Sequence, residues 1–397
     1  MSMRALMIVP QAFYSTRGTP LSAYHRAREL ILRGHQVDIL TYPVGGEPPD
    51  IDSRIYRSRG PHFASTIKAG PSKLKIWFDL LLFLNLIVLL IRKRYDFIYT
   101  HEEAAFMIAL LKPIIRKPFI YDMHSSLPLQ ITEWDFSSSK LVIKFFHWIE
   151  RVSVKNATAV VAISPAVEKA AKEAWASTPT VVIVNHFETP ATAEVACGAK
   201  VRQEFGVQDK TPLVVYTGSF VALQALDLLI DAVPHVLKRV PDTRFLLVGG
   251  TGTELDAVNR CAEAAGVADS IIIIESRPQS EMQDFMAAAD VLVSPRIRGI
   301  NPPGKLFSYL ASGKPVVATD CLVHNQLIDN SCAVLTDPTS ESFADGITRA
   351  LTDPDLVHRL ADGAERFLEQ YCSAASRDAA YQQLIRYMSA EHSKRSA

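Results

Sequence analysis

Cysteine is scarce in this chain of 397 residues: Cys197, Cys261, Cys321, Cys332 and Cys372 form no CxxC pair and have no histidine at zinc-ligand spacing. A disulfide framework and a structural zinc site are thereby excluded as sources of stability, and reduced, mostly buried thiols in a reducing compartment are expected. Net charge is absent, with 42 Lys and Arg against 42 Asp and Glu. No low-complexity segment precedes the polar tail at Glu391–Ala397. The first apolar run, Ala5–Val9, is too early and too short for a secretory h-region, so secretion is not expected and a cytoplasmic protein is. The most apolar stretch, Asp79–Ile91, offers only 12 residues after Asp79, one of them Asn85. That is short of the ~20 a spanning helix needs. A helix packed between sheet and neighbouring helices is the expectation. The flanking Lys73, Lys75 and Arg92-Lys93-Arg94 add a peripheral contact with an anionic membrane as the alternative.

What is present fits a large soluble core. Hydrophobic residues make up 48% and charged ones 21%, and the length suits two domains. The zero net charge conceals an asymmetry: residues 1–190 hold 23 basic against 16 acidic residues, and the remainder 19 against 26. A basic first half suits an anionic surface or an acidic substrate. Apolar runs of strand length alternate with helix-period segments throughout, which predicts parallel β/α units. Strands are expected at Ala5–Val9, Val37–Thr41, Phe97–Thr100, Phe119–Asp122, Ala159–Ile163 and Val181–Val184. The same pattern restarts at Leu213–Thr217, Phe245–Val248, Ile271–Glu275, Val291–Ser294, Val316–Thr319 and Ala333–Leu335. The fold class is therefore α/β, with two Rossmann-like parallel-sheet domains facing across a cleft. Their expected bounds are 1–187 and 199–375, joined by a linker at 188–198 and followed by a C-terminal helix at 376–397 that can pack back on the first domain.

The segment from Ser294 to Thr319 carries the most chemistry. Asn301-Pro302-Pro303-Gly304 forms a loop just before a helix start, where free backbone N–H groups favour phosphate. Arg296, Arg298 and Lys305 bring positive charge to that loop, as a diphosphate requires when no metal neutralises it. The two Asp-x-Asp matches, Asp50–Asp52 and Asp353–Asp355, lie in Pro-containing polar turns, so no metal is implied. His101-Glu102-Glu103 follows a strand end, where either carboxylate can orient an acceptor or merely favour a helix N-terminus. Asp122 is placed to fix the tautomer of His124.

These motifs, taken in order, resemble the retaining glycosyltransferases of family 4, which have the GT-B fold. The resemblance rests on Gly18-Thr19, Arg33-Gly34-His35-Gln36-Val37, Tyr121-Asp122-Met123-His124, Asn185, Tyr216-Thr217-Gly218-Ser219, Phe245–Gly250 and Lys305–Val317. It implies that His124 sits beside the transferred sugar and that Gly18 and Thr19 let the first loop approach the donor. It also implies that Lys305 neutralises the leaving diphosphate with Arg296 as second cation, and that Gly218, Ser219, Arg298, Asn301, Gly304 and Ser308 line the donor pocket. Glu102, Glu103 and Asp122 are expected on the acceptor side. No cofactor is implied beyond a nucleotide diphosphate sugar as co-substrate. The acceptor is a saccharide, a lipid-linked sugar or a small molecule, and no nucleic-acid partner is implied. The sequence leaves the family pattern at Ile300 and Ser308, which stand where a pair of glutamates is usual, and at Gln224, which fills a lysine slot. A sugar-nucleotide epimerase of the same architecture and a non-catalytic nucleotide-sugar-binding relative remain as alternatives.

Overall fold

Runs such as Leu-Met-Ile-Val and Val-Leu-Val-Ser have no polar alternation, so they suit strands covered on both faces by helices. A computed structural model describes residues 2–14, 18–48, 50–59, 73–129, 139–185, 197–299 and 301–396. The chain divides into two compact units, Met1–Asn185 with Arg377–Ala397, and His186–Ser376.

In the first unit the order is β1 (Arg4–Val9), α1 (Gly18–Leu32), β2 (Gln36–Thr41), β3 (Arg54–Arg57), α2 (Lys73–Arg92), β4 (Phe97–His101) and α3 (Ala104–Ile115). It continues with β5 (Phe119–Met123), α4 (Lys140–Asn156), β6 (Ala159–Ala162), α5 (Pro165–Ala174) and β7 (Thr180–Val182). The seven strands are parallel in the order β3-β2-β1-β4-β5-β6-β7. The strand order reverses at β1 and β4, so the carboxyl ends of these strands mark the position where an open α/β sheet binds ligands.

The second unit runs α6 (Gly198–Glu204), β8 (Leu213–Thr217), α7 (Leu226–Leu237), β9 (Arg244–Val248), α8 (Thr253–Ala264), β10 (Ile271–Ile274) and α9 (Met282–Ala288). Then come β11 (Val291–Ser294), α10 (Lys305–Ala311), β12 (Val316–Thr319), α11 (Leu322–Asn325), β13 (Val334–Thr336), α12 (Ser340–Thr352) and α13 (Pro354–Cys372). Its six parallel strands lie in the order β10-β9-β8-β11-β12-β13, with the reversal at β8 and β11. The last helix, α14 (Ala374–Ser396), enters the first unit at Arg377. There Tyr381, Leu384 and Met388 are buried in one core with Met7, Ile39, Tyr99 and the α1 residues Ala27 and Leu30.

The structure departs from the sequence expectations at four places. The edge strand β3 was not anticipated, because Arg-Ile-Tyr-Arg is short and carries charge at both ends. The sequence suggests a helix over Glu103–Leu111, and α3 runs on to Ile115 with Pro113 inside it, ending on Arg116 in the left-handed conformation. The cysteines are all free, but Cys197 and Cys261 are exposed rather than buried. α2 is a full 20 residues, and the stretch Leu74–Arg92 is long and apolar enough to cross a membrane by length and composition. It is not enclosed between sheet and helices. Phe78, Leu82 and Leu86 are buried, Tyr42 just after β2 donates its hydroxyl to Asp79, and the opposite face is exposed. The expected linker 188–198 falls almost wholly outside the described residues.

Candidate functional site

In the first unit the carboxyl ends of β4 and β5 place His101, Asp122 and His124 together. Parallel register sets His101 opposite Asp122, and His124 follows one residue beyond β5. All three are buried. His101 Nδ1 and His124 Nε2 are 3.2 Å apart, a hydrogen bond in which one ring donates and the other accepts. The Asp122 carboxylate accepts from Arg26 Nε at 3.1 Å and from the Tyr99 hydroxyl at 2.9 Å through Oδ2. Its Oδ1 lies 3.5 Å from His124 Nε2.

Arg26 comes from α1 and also donates to the Ile183 carbonyl at 2.6 Å and to Asn185 Oδ1 at 3.3 Å. The Ser22 hydroxyl donates to the same Asn185 oxygen at 2.7 Å. One buried guanidinium thus ties the first helix to the end of the sheet and supplies the counter-charge for Asp122. Burial pushes the Asp122 carboxyl up, but the opposing influences, the Arg26 guanidinium first and the Tyr99 hydrogen bond among them, outweigh it and hold it below the usual carboxylate range. Burial drives His101 down to about 3 and His124 down as well, so both are neutral imidazoles at neutral pH.

His101, Asp122 and His124 offer ligand atoms all within 4.8 Å of one another, a set able to hold a metal ion. The fit is poor on charge. A dication there would share a buried volume with the Arg26 guanidinium, which already neutralises the one carboxylate. The direct hydrogen bond between the two imidazoles also occupies the nitrogens that would bind metal.

The acceptor-side carboxylates expected from sequence lie elsewhere than on an open surface. Asp122 has no exposed area, and its partners are those just described. Glu102 adopts a left-handed backbone with φ +49°, which turns its side chain inward; it is buried and its Oε2 has no hydrogen-bond partner among the described residues. Burial, reinforced by Glu103, raises Glu102 to about 8, so it is a protonated acid at neutral pH. Glu103 pairs with Lys75 of α2. Gly18 and Thr19 open α1, and the three residues before them lie outside the described residues.

In the second unit Lys305, the first residue of α10, is brought against the loop after β8. Its Nζ lies 3.6 Å from the Tyr216 ring centroid and donates to Gln224 Oε1 at 3.4 Å. A Cβ on Gly218 would stand 3.4 Å from the same Nζ, and Gly218 itself has φ +136°. Burial, and then repulsion from Arg296, holds the Lys305 ammonium well below its ordinary range. No carboxylate lies within ion-pair distance of Lys305 among the described residues. Two features hold the loop in place. The Tyr309 hydroxyl accepts from Thr217 N at 2.7 Å, and the Tyr216 hydroxyl donates to the Ser219 carbonyl at 2.8 Å.

Arg296 is buried at the end of β11, with Nε donating to the Arg298 carbonyl at 2.8 Å. The Arg298 side chain is exposed, so the cationic cluster at Lys305 consists of Lys305 and Arg296. Gly304 is exposed and precedes α10 without any side-chain cap, Ser308 is half-buried on α10, and Asn301 Oδ1 is buried with no partner. Because α10 has only seven residues, the anion preference rests on these two cations more than on a helix dipole. Ile300 lies outside the described residues.

Sequence reasoning missed Arg26, Tyr99 and His324. His324 is buried, with Nδ1 3.0 Å from the Thr319 carbonyl and Nε2 2.9 Å from the Ser294 hydroxyl. The carbonyl can only accept, so Nδ1 carries the proton, and burial, the largest influence, pushes the ring down to about 3 and keeps it neutral at neutral pH. Arg26 has no local motif around it; its importance follows only from the packing of α1 on the sheet.

Two Rossmann-like units, each with polar residues at its strand-order reversal, define the GT-B class of glycosyltransferases. Solved structures share this fold. Sucrose-phosphate synthase of Thermosynechococcus elongatus matches with a TM-score of 0.78 at 19% identity, covering 98% of this chain and 99% of that one. Anabaena Alr3699/HepE in complex with UDP matches with a TM-score of 0.73 at 20% identity, covering 98% and 100%. Residues 16–189 match the family described as Glycosyltransferase Family 4, and residues 211–353 that described as Glycosyl transferases group 1. The chain belongs to this glycosyltransferase family. Among curated relatives, the GDP-mannose-dependent alpha-(1-6)-phosphatidylinositol monomannoside mannosyltransferase of Mycolicibacterium smegmatis is 33% identical over 162 residues. That match spans 39% of this chain and 41% of the relative.

Proposed function

We propose that the protein transfers a sugar, with retention of configuration and without a metal, from a nucleotide diphosphate sugar to a saccharide, lipid-linked or small-molecule acceptor in the cytoplasm. The observation that carries this reading is the desolvated Lys305, held against Tyr216 and Gln224 with Arg296 near and no carboxylate in reach among the described residues. Such a cation is costly until an anion arrives, and a diphosphate leaving group is the anion that glycosyl transfer provides. As the sugar departs, negative charge grows on the leaving oxygen, and Lys305 and Arg296 stabilise it more in the transition state than in the ground state. His124, neutral and oriented by His101 and Asp122, offers a polar contact to the reacting sugar. The UDP bound by the Anabaena fold neighbour and the lipid-linked acceptor in the name of the mycobacterial relative are in keeping with this reading.

The test is a thermal-shift screen with UDP-, GDP- and ADP-sugars, followed by an assay for free nucleotide diphosphate with and without acceptor. A stabilising donor whose nucleotide is released is expected. A stabilising donor never consumed would favour a binding-only relative, for which the absence of a ribose-binding glutamate at Ser308 is the motivating feature. Donor isomerised without nucleotide release would mean an epimerase.

A further inference from the structure

The outer helix layer of the first unit has a composition unlike the rest of the surface. The connections from β3 to β4, β4 to β5 and β5 to β6 all step the same way along the sheet, so their right-handed crossovers set α2, α3 and α4 on one face. α1 and α14 share the core on the other face. Lys75 of α2 paired with Glu103, just before α3, and Phe106 of α3 edge-on to Trp148 of α4 at 5.5 Å, confirm that the three helices are neighbours. Their outward side chains are large and apolar. On α2 the exposed residues are Trp77, Leu84 and Ile91 among others, on α3 Ile114, and on α4 Leu141 and Phe145; Ile91, Ile114 and Leu141 are each 79% exposed.

The exposed charges of α2, α3 and α4 are one-signed, while α5, the next helix on this face, adds Lys169 and Lys172 beside the exposed Glu173. The three helices contain two acids, Asp79 and Glu150. Asp79 accepts a hydrogen bond from Tyr42, and Glu150 is buried, accepting from Ser126 and from Leu127 N. The exposed charges are basic: Arg92 and Arg94 at the end of α2, Arg116 after α3, and Lys140, Lys144 and Arg151 on α4. An apolar face this broad seldom stands open on a soluble protein, and helices whose exposed charges, among the described residues of α2, α3 and α4, are all basic complement a lipid headgroup layer rather than a second copy of the same basic face.

We propose that α2, α3 and α4 form a single docking surface for an anionic lipid bilayer, with Trp77, Leu84, Ile91, Ile114, Leu141 and Phe145 entering the interface and the basic rim meeting the headgroups. The proposal rests on the reading of a lipid-linked acceptor for its purpose. Its geometry is independent of that reading. It differs from attachment by α2 alone in requiring α3 and α4.

The test is co-sedimentation of the full chain with vesicles of phosphatidylcholine alone and of phosphatidylcholine mixed equally with phosphatidylglycerol, without donor or acceptor. Binding to the mixed vesicles, weakened by salt, is expected. The variant Ile114→Ser/Leu141→Ser/Phe145→Ser, which leaves α2 intact, should lose about tenfold or more in partitioning. Lys140→Gln/Lys144→Gln should lose the preference for anionic lipid while keeping its circular dichroism and melting curve. Absence of wild-type binding to either vesicle overturns the proposal. So does retention of full binding by the folded triple variant, which would assign attachment to α2 alone. Self-association in solution that the triple variant abolishes, with no lipid binding, would identify the occupant as a second copy. Nucleotide-sugar stabilisation of the same preparations reads the catalytic function separately.

Discussion

Replacing Lys305 with Met is the sharpest test of the second unit, because stability and activity should move in opposite directions. The ammonium is desolvated against the Tyr216 ring with Arg296 nearby, and its folded pKa is depressed. Between that depressed value and the ordinary 10.5 the unfolded chain binds the proton more readily than the folded one, so this group costs stability at neutral pH and the cost fades as pH rises. Methionine keeps most of the volume and removes the cost. The melting temperature of the ligand-free variant should equal or exceed that of the wild type.

Turnover should collapse. An ammonium about 4 Å from a phosphate charge at an effective dielectric of about 20 is worth about 4 kcal/mol. At about 1.4 kcal/mol per decade that amounts to a loss of about 100- to 1000-fold in kcat. The assay is release of nucleotide diphosphate under saturating donor, alongside thermal melting. Calorimetric titration with the nucleotide diphosphate adds a third readout: the variant should bind it more weakly than the wild type. A folded Lys305→Met protein within tenfold of wild-type turnover would refute the assignment.

Three further outcomes follow from the buried charges and the turns. Glu102→Gln should remove a pH dependence: with the folded carboxyl raised to about 8, the wild type loses stability as pH rises from about 4.5 through 8, by up to about 4 kcal/mol, and the variant should melt without that slope. Arg26→Met strands the Asp122 carboxylate and should cost about 3–5 kcal/mol in urea unfolding, with Arg26→Met/Asp122→Asn recovering much of the loss. Gly249→Ala would set a Cβ 1.7 Å from the Gly218 carbonyl oxygen at φ +150° and should unfold the second unit in a proteolysis assay. Gly252→Ala, at φ +51° with nothing within 4 Å, should cost only about 1 kcal/mol.

Much of the fold was legible because parallel strands are apolar on both faces. Val291–Ser294 and Val316–Thr319 have the bounds their composition suggests. β3 was not legible, since an edge strand with Arg at both ends has no such signature. The site divides in the same way. Gly218 and Lys305 follow adjacent strands, and the family resemblance implies that both serve one donor pocket, whereas the Lys305 contact with Gln224 is seen only in the structure. The first-unit network draws on residues 26, 99, 101, 122, 124 and 185, and no local pattern ties α1 to Asn185. The signal that could have found Arg26 is an arginine on the core-facing stripe of an otherwise amphipathic helix, between Ala23 and Ala27. The burial of Glu102 depended on a left-handed residue after β4, which glutamate rarely adopts and sequence does not announce.

The protonation states divide the work between the units. His124 is neutral because it is buried and Arg26 stands nearby, while Arg26 is kept there by Asp122. A neutral imidazole can orient a hydroxyl, but it brings no charge to a developing phosphate, so charge stabilisation must come from groups that remain cationic. In the second unit Arg296 stays a guanidinium at any ordinary pH, and it is part of what depresses Lys305. On the reading proposed above, an arriving diphosphate would meet one fixed cation and one whose protonated form its own charge favours. Ser308 adds no standing charge to the helix that carries Lys305, so the local charge balance is left to the two cations and the ligand of the proposed function.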